Sequence, residues 1–378
     1  MVTLMQRSRC LFEPLNLGGI ILANRIAVSP MCQYSAEDGA ANDWHLQHLG
    51  SLSLSGAALV IVEQTAVEPA GRISHGCLGL YSDANEAALT RVVGFCRRAG
   101  SAALGIQLAH AGRKGSAKLP WEGGGPLAPD AGAWTTAAPS AIPFDGHWPA
   151  PQVLDEAGLA RIRDAHANAA RRADRLGFDL VELLAAHGFL LHSFLSPITN
   201  RRTDSYGGTL ANRMRYPLKV AAAIREVWPR PKALGMRITG CDWVEGGITT
   251  DEAGILASEL RAIGFDYVCV SSGGISQQAR PAVAPGYQVP LAAAVKKASD
   301  IAVQAVGMIV SPHQAEAIIA GAQADFVALA RGFLDDPRWG WHAAAALGAD
   351  AAYPPQYRRA RPEHWPGAAL AHAHLPGE

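Results

Sequence analysis

Short β-branched or aliphatic runs recur eight times along this chain, at 26–31, 59–65, 103–109, 180–185, 234–239, 267–272, 301–307 and 326–331. A strand covered by helices on both faces has no solvated side, so it reads as a near-continuous apolar run. Helix-like stretches separate several of these runs, among them 156–176, 210–227, 251–263, 312–320 and 337–347. Eight alternating units fit a closed (β/α)8 TIM barrel better than an open doubly wound sheet. An open nucleotide-binding sheet is expected to carry a GxGxxG turn after its first strand, and here that strand runs into Ser29-Pro30-Met31-Cys32.

Residues 12–22 hold two short apolar runs around Gly18-Gly19, which reads as a hairpin capping the bottom of the barrel. The third unit carries a long insert, 110–154, rich in Gly, Pro and Trp; a loop of that length without a pattern of its own is expected to be a lid beside the active site. The tail 353–378 has little periodicity and is expected to dock on a neighbour or to be disordered. The expectation is one domain over 1–378, with barrel and insert forming a single unit.

Lysine plus arginine balance aspartate plus glutamate at 33 each, so no strong field draws nucleic acid or an anionic membrane, and a small-molecule partner is expected. No apolar run reaches the roughly 20 residues that span a bilayer. The segment MVTLMQRSRCLFEPL lacks a continuous signal-peptide core, so a cytoplasmic setting is expected. The six cysteines, Cys10, Cys32, Cys77, Cys96, Cys241 and Cys269, form no CxxC pair, which argues against a disulfide framework and a zinc cage. His45 with His48, and His187 with His192, lack the HExxH form, and no metal is expected. Gly123-Gly124-Gly125 is followed by Pro126 rather than by Lys-Ser/Thr, which suits a flexible lid more than a phosphate loop. Arg171, Arg172 and Arg175 read as a solvated helix face.

Barrel enzymes work at the C-terminal ends of their strands. The segments leaving the runs are SPMCQY, EQTAV, QLAHAGRKG, AAHGFLLHSFLSPITNRRTDSYGG, MRITGCDW, SSGG, VGMI and ALARGF, with glycines gathered on the last three, where backbone N–H groups suit a phosphate. SPMCxY, IQLAHAGRK, AAHGF-L-H-FLSPxxNxRTDxYGG, VGMI and AxARxFLxDP, in this order over nearly the whole chain, resemble the thermophilic-like class of the old yellow enzymes.

The resemblance implies FMN across the barrel mouth, reduced by NADPH or NADH and reoxidised by an electron-poor alkene, quinone or nitro compound. It places Ser29, Pro30, Met31 and Cys32 along the flavin, with Cys32 near its N5 and tuning its potential. Gln64 follows on the second strand. Gln107, with donor and acceptor together, suits the pyrimidine edge, and Arg237 suits the charge that develops there on reduction. Gly307, Ala330 and Arg331 fall at the phosphate; position 330 is more usually glycine in the family. Tyr34 and His187 would face the substrate. Arg359 matches the position from which the family inserts an arginine into a neighbouring subunit, which implies a homodimer or homotetramer.

One departure stands out. The family's fourth strand ends in HxxH or HxxN with a tyrosine two residues on, gripping the substrate carbonyl and protonating Cα. Here Leu184 and Phe189 replace one gripping residue and the proton donor. A positioned general acid contributes on the order of a hundredfold to ten-thousandfold. Three readings stand: another acid, with Tyr34 the nearest; substrates protonated by solvent, such as quinones or nitro compounds; or a shifted reaction on the same scaffold, such as desaturation or isomerisation. Leu184 and Phe189 also favour a less polar substrate. From another class, a flavin binder or redox sensor acting through Cys32 is the alternative. A flavin-free barrel would need a catalytic Lys or Glu at a strand end, and Lys114 lies only in the insert.

Overall fold

The computed structural model describes residues 9–371; residues 1–8 and 372–378, on which part of the leader reading and the end of the tail fall, lie outside them. The strands are β1 (Leu15–Leu17), β2 (Ile20–Leu22), β3 (Ile26–Val28), β4 (Leu59–Ala66), β5 (Ala103–Ala109), β6 (Ala137–Ala138), β7 (Gln152–Val153), β8 (Leu180–Ala185), β9 (Ala233–Thr239), β10 (Tyr267–Ser271), β11 (Ala302–Ala305) and β12 (Phe326–Leu329). Eight of them close into a parallel barrel in the order β10-β11-β12-β3-β4-β5-β8-β9. The TIM barrel expectation holds.

Three strands are shorter than their apolar runs by two residues or more. β3 stops at Val28 and the chain then passes through Ser29 to Pro30, which has no N–H to give a ladder. β11 stops at Ala305, two residues before Gly307 turns to φ +101°. β12 stops at Leu329, because Arg331 already opens the helix Arg331–Asp335.

β1 and β2 pair antiparallel around Gly18-Gly19 and form the expected hairpin. A Cβ on Gly18 would stand 2.3 Å from Asp266 and 2.9 Å from the backbone of Ala233, at the N-terminal ends of β10 and β9. Leu17 and Leu22 join Leu59, Leu180, Tyr267 and Phe326 in one buried apolar cluster. The hairpin therefore seals the lower end.

The surrounding helices follow their patterns. Glu156–Arg175 starts at Asp155, whose carboxylate accepts from the Gly158 N–H at 2.8 Å, and buries Leu159, Ile162, His166, Ala169, Ala170 and Ala173 at helical spacing. Leu210–Val227 runs through a buried Pro217. On Glu156–Arg175, Arg171 and Arg175 are exposed as expected, whereas Arg172 is half-buried; Arg171 bonds Asn168, and Arg172 and Arg175 both bond Glu86 of the helix Asp83–Ala99. Charge complementarity across a helix pair has captured them.

The insert has short 3-10 turns and the two-residue pair β6–β7 rather than a regular element. At Gly123, Gly124 and Gly125, all with positive φ, an added Cβ would meet nothing within 4 Å. The tail packs on its own chain, with Tyr353 stacked on Trp341 at 4.2 Å between ring centroids. Among the described residues no helix is long and apolar enough to cross a membrane.

Candidate active site at the barrel mouth

The residues leaving the strands converge from opposite sides of the barrel. Ser29, just past β3, accepts a hydrogen bond at 3.1 Å from Arg237 on β9. Two residues beyond Pro30, the Cys32 thiol lies beside the Tyr34 hydroxyl. Burial first, then the neighbouring Glu63 carboxylate, pushes Cys32 well above the ordinary thiol range, so it sits as a thiol rather than a thiolate. Tyr34 is likewise raised, by burial first. Its backbone is left-handed, at φ +51°.

A register shift between Val62 and Gln64 on β4 turns Glu63 toward the first-strand loop, where it accepts from the Gln33 N–H at 3.1 Å and faces His45 at 3.5 Å. Gln64 itself is 2% exposed, and neither atom of its amide has a protein partner. On β5, Gln107 donates at 2.6 Å to Glu182 of β8, and the same carboxylate accepts from Tyr267 of β10 at 2.9 Å. Glu182 is fully buried, and the Arg237 guanidinium acts on it electrostatically.

The fourth-strand turn is fixed by backbone demands. His187 has φ +59° and Gly188 φ +77°; a Cβ on Gly188 would lie 2.2 Å from the Gly274 carbonyl, so only glycine fits. His187 Nε2 lies 3.0 Å from Ser271 Oγ. Burial, then the charges of Arg237 and Lys114, pushes the imidazole well below its ordinary range, leaving it neutral near pH 7. Beneath the turn the Gly188 N–H donates to His192 Nδ1 at 2.8 Å. His192 Nε2 stands 2.9 Å from Asp242 Oδ1, out of line for a good hydrogen bond. Asp242 also accepts from Ser196 and from the Ile248 N–H, at 2.7 and 2.8 Å. Asp242→Asn is expected to cost about 1–3 kcal/mol, read as a lower urea midpoint at unchanged slope; an unchanged midpoint would show that the carboxylate does not brace the turn.

Leu184 packs with Ala109, Ala186 and Phe189 in a small apolar cluster of its own. Phe189 lies edge-on to His187, with ring centroids 6.4 Å apart. Lys114, set aside in the sequence reading as a residue of the insert, is instead brought to this wall. Its ammonium donates to the carbonyls of His187 at 2.8 Å and Gly274 at 3.3 Å, and stands 5.1 Å from the Phe189 ring and 4.6 Å from the Phe144 ring. Its neighbour Arg113 donates to Pro143 at 2.7 Å and to Ile275. The insert is thereby tied to the mouth, but nothing in its spacing announced that contact.

Gly307, at φ +101°, faces Gln288 so closely that a Cβ would lie 2.4 Å from its Nε2. Ala330 is the residue before the helix Arg331–Asp335, and Arg331 is exposed. Arg359 is exposed on the 3-10 helix Pro355–Ala360. Among the described residues no group of three or more His, Cys, Asp or Glu is placed to hold a metal.

The mouth also holds polar atoms that the protein leaves unsatisfied: both ends of the Gln64 amide, Arg237 Nε, Trp243 Nε1, Ser272 Oγ and Gln288 Oε1. Each such buried group costs about 1–3 kcal/mol unless something fills the space. A flat, polar-edged ring with an anionic tail fits this donor and acceptor set.

The sequence profile of the NADH:flavin oxidoreductase / NADH oxidase family matches residues 10–348. The NADPH dehydrogenase of Geobacillus thermodenitrificans is 41% identical over 351 residues, covering 92% of this chain and 98% of that protein. Among solved structures, morphinone reductase superposes with a TM-score of 0.75 at 29% identity, over 92% of each chain. A 2-naphthoyl-CoA reductase complex superposes with a TM-score of 0.81 at 23% identity, over 90% of this chain and 52% of that one, a likeness of fold.

Proposed function

Because this chain belongs to the NADH:flavin oxidoreductase / NADH oxidase family, that of the old yellow enzymes, we propose that it reduces electron-poor quinones, nitro compounds and, more slowly, enones. It is an oxidoreductase that works with FMN and a nicotinamide. When bound, FMN supplies the two-electron chemistry that links nicotinamide oxidation to substrate reduction.

The observation that carries this reading is the set of unsatisfied polar atoms around the mouth, set against an apolar substrate wall. Gln64, Gln107 and Arg237 would hold the pyrimidine edge, with Ser29, Pro30, Met31 and Cys32 beside the ring. The fixed cation of Arg237 favours negative charge on that edge. Gly307, Ala330 and Arg331 would hold the phosphate, where the absence of a side chain at Gly307 opens its backbone to an anion. Cys32 and Tyr34 would hold one side of the substrate space, and His187, neutral and paired with Ser271, would orient a carbonyl from the other. Leu184 offers no polar group, and Phe189 no hydroxyl. Substrates whose reduced forms take their protons from water lose least by that. Residues 110–154 would act as the lid, and Arg359 would reach the active site of a second copy of this chain in a homodimer or homotetramer.

An anaerobic titration tests the reading. The FMN-loaded protein is reduced with NADPH or NADH and then mixed with benzoquinone, a nitroalkene or cyclohexenone while the flavin absorbance near 450 nm is followed. Quinone reoxidation is expected to outrun enone reoxidation by on the order of a hundredfold or more. Equal rates, or no reduction by either nicotinamide, would overturn it.

A further inference from the structure

Two groups at the substrate wall are missing, and the wall carries one cation whose position they do not explain. Lys114 leaves the end of β5 on the 3-10 turn Gly112–Lys114 and folds back across the mouth. Two of its three N–H bonds are given to the carbonyls of His187 and Gly274. Those carbonyls belong to the His187-Gly188 turn and to the loop after β10, so the ammonium is pinned from two strand ends at once. Its remaining donor has the Phe189 and Phe144 rings as neighbours. Lys114 as a whole is half-buried, with its ammonium lying over the two rings. Burying a cation costs free energy, which the two carbonyls and the two ring faces offset here.

We propose that Lys114 is the acid that protonates Cα of the substrate in this chain, standing beside the Phe189 ring where a phenolic hydroxyl is absent. The proposal rests on the reductase reading above. The electron pair comes from the nicotinamide and enters the alkene at Cβ as a hydride equivalent. The C=C π bond opens, one Lys114 N–H bond breaks as the Cα–H bond forms, and the free amine regains its proton from water. Delivery is direct or through one water in the volume a tyrosine hydroxyl would fill.

The electrostatics agree. Burial, then the neighbouring Arg113 cation, lowers the Lys114 ammonium to about 8. An acid near the working pH transfers its proton most effectively. The titratable groups facing it are Arg113 on its own segment and His187 on the turn above; Phe189, Phe144 and Gly274 carry none. The ammonium is the active form, so enone reduction is expected to fall about tenfold per pH unit once pH rises through 8.

Lys114→Met keeps the length of the side chain and removes the proton. In the otherwise unchanged enzyme it is expected to slow enone reoxidation roughly a hundredfold while leaving quinone reoxidation within a few fold. In the Leu184→His, Phe189→Tyr background, where a phenol is again present, the same change is expected to matter only a few fold. Equal losses in both backgrounds, or with quinone and enone alike, would show that Lys114 only braces the His187 turn and would overturn the proposal. A readout independent of turnover is the pH titration of the Lys114 side-chain ¹⁵N resonance in the oxidised holoenzyme: a midpoint near 8 is expected, and one in the ordinary lysine range would overturn it. A parent enzyme that reduces neither quinone nor enone would instead defeat the reductase reading itself.

Discussion

Converting Leu184→His and Phe189→Tyr together is expected to speed enone reduction by about a hundredfold, chiefly through a second donor at the substrate oxygen, because Lys114 already supplies a proton. Leu184 is 2% exposed and lies in register with Arg237 on the next strand. An imidazole there would stand at the same level as His187 and give the substrate oxygen a second donor. One donor at a developing oxyanion is worth about 3 kcal/mol. The phenol at 189 would return a fixed acid. The two gains overlap, since both stabilise the same developing charge, so their product is an upper bound. Quinone reoxidation should change little and serves as the control. If cyclohexenone is reduced no faster by the double variant, the missing groups do not limit the enzyme and the account of its substrate preference fails.

Removing Glu182 should have the largest effect on stability. The carboxylate accepts from Gln107 and Tyr267 and offsets the Arg237 charge, all inside the barrel. Glu182→Ala strands two donors and a cation, an expected loss of about 3–5 kcal/mol, read from the denaturant midpoint. Glu182→Gln should cost less, because an amide oxygen still accepts from Gln107. Burial holds the Glu182 carboxyl above its ordinary range, with Arg237 and the two hydrogen bonds pulling it back. Just above the ordinary carboxyl range the native state then keeps a proton that the unfolded chain has released. Stability is therefore expected to fall as pH rises through that window, and Glu182→Gln should remove that slope. A Glu182→Ala variant as stable as the parent would show that this buried carboxylate is not holding the mouth together.

The barrel was readable because strands buried on both faces announce themselves as apolar runs, and eight such runs admit few architectures. Strand ends were less readable. In 301–307 and 326–331 the small and aliphatic residues continue past the last ladder bond, and only the backbone turns at Gly307 and Ala330 mark where pairing stops. The motif residues at the mouth were legible through resemblance. Glu182 was not, because within Leu180–Ala185 it looks like an interruption in a hydrophobic run, and its partners lie on β5, β9 and β10. Lys114 was misjudged for a related reason. Its contacts are to residues 187 and 274, and no spacing within the insert encodes a meeting that barrel closure creates. Ser271 and Asp242 belong to the same class, ordinary polar residues whose work depends on neighbours distant in sequence.

The hairpin β1–β2 has a kinetic consequence. With one end of the barrel plugged by Leu17, Leu22 and their apolar neighbours, everything that meets the ring must come and go through the other. With the ring held at the mouth as proposed, nicotinamide and oxidant would share one doorway, and each turnover would be two visits in succession rather than a three-way encounter. Double-reciprocal plots should run parallel, and excess of either visitor should slow the other.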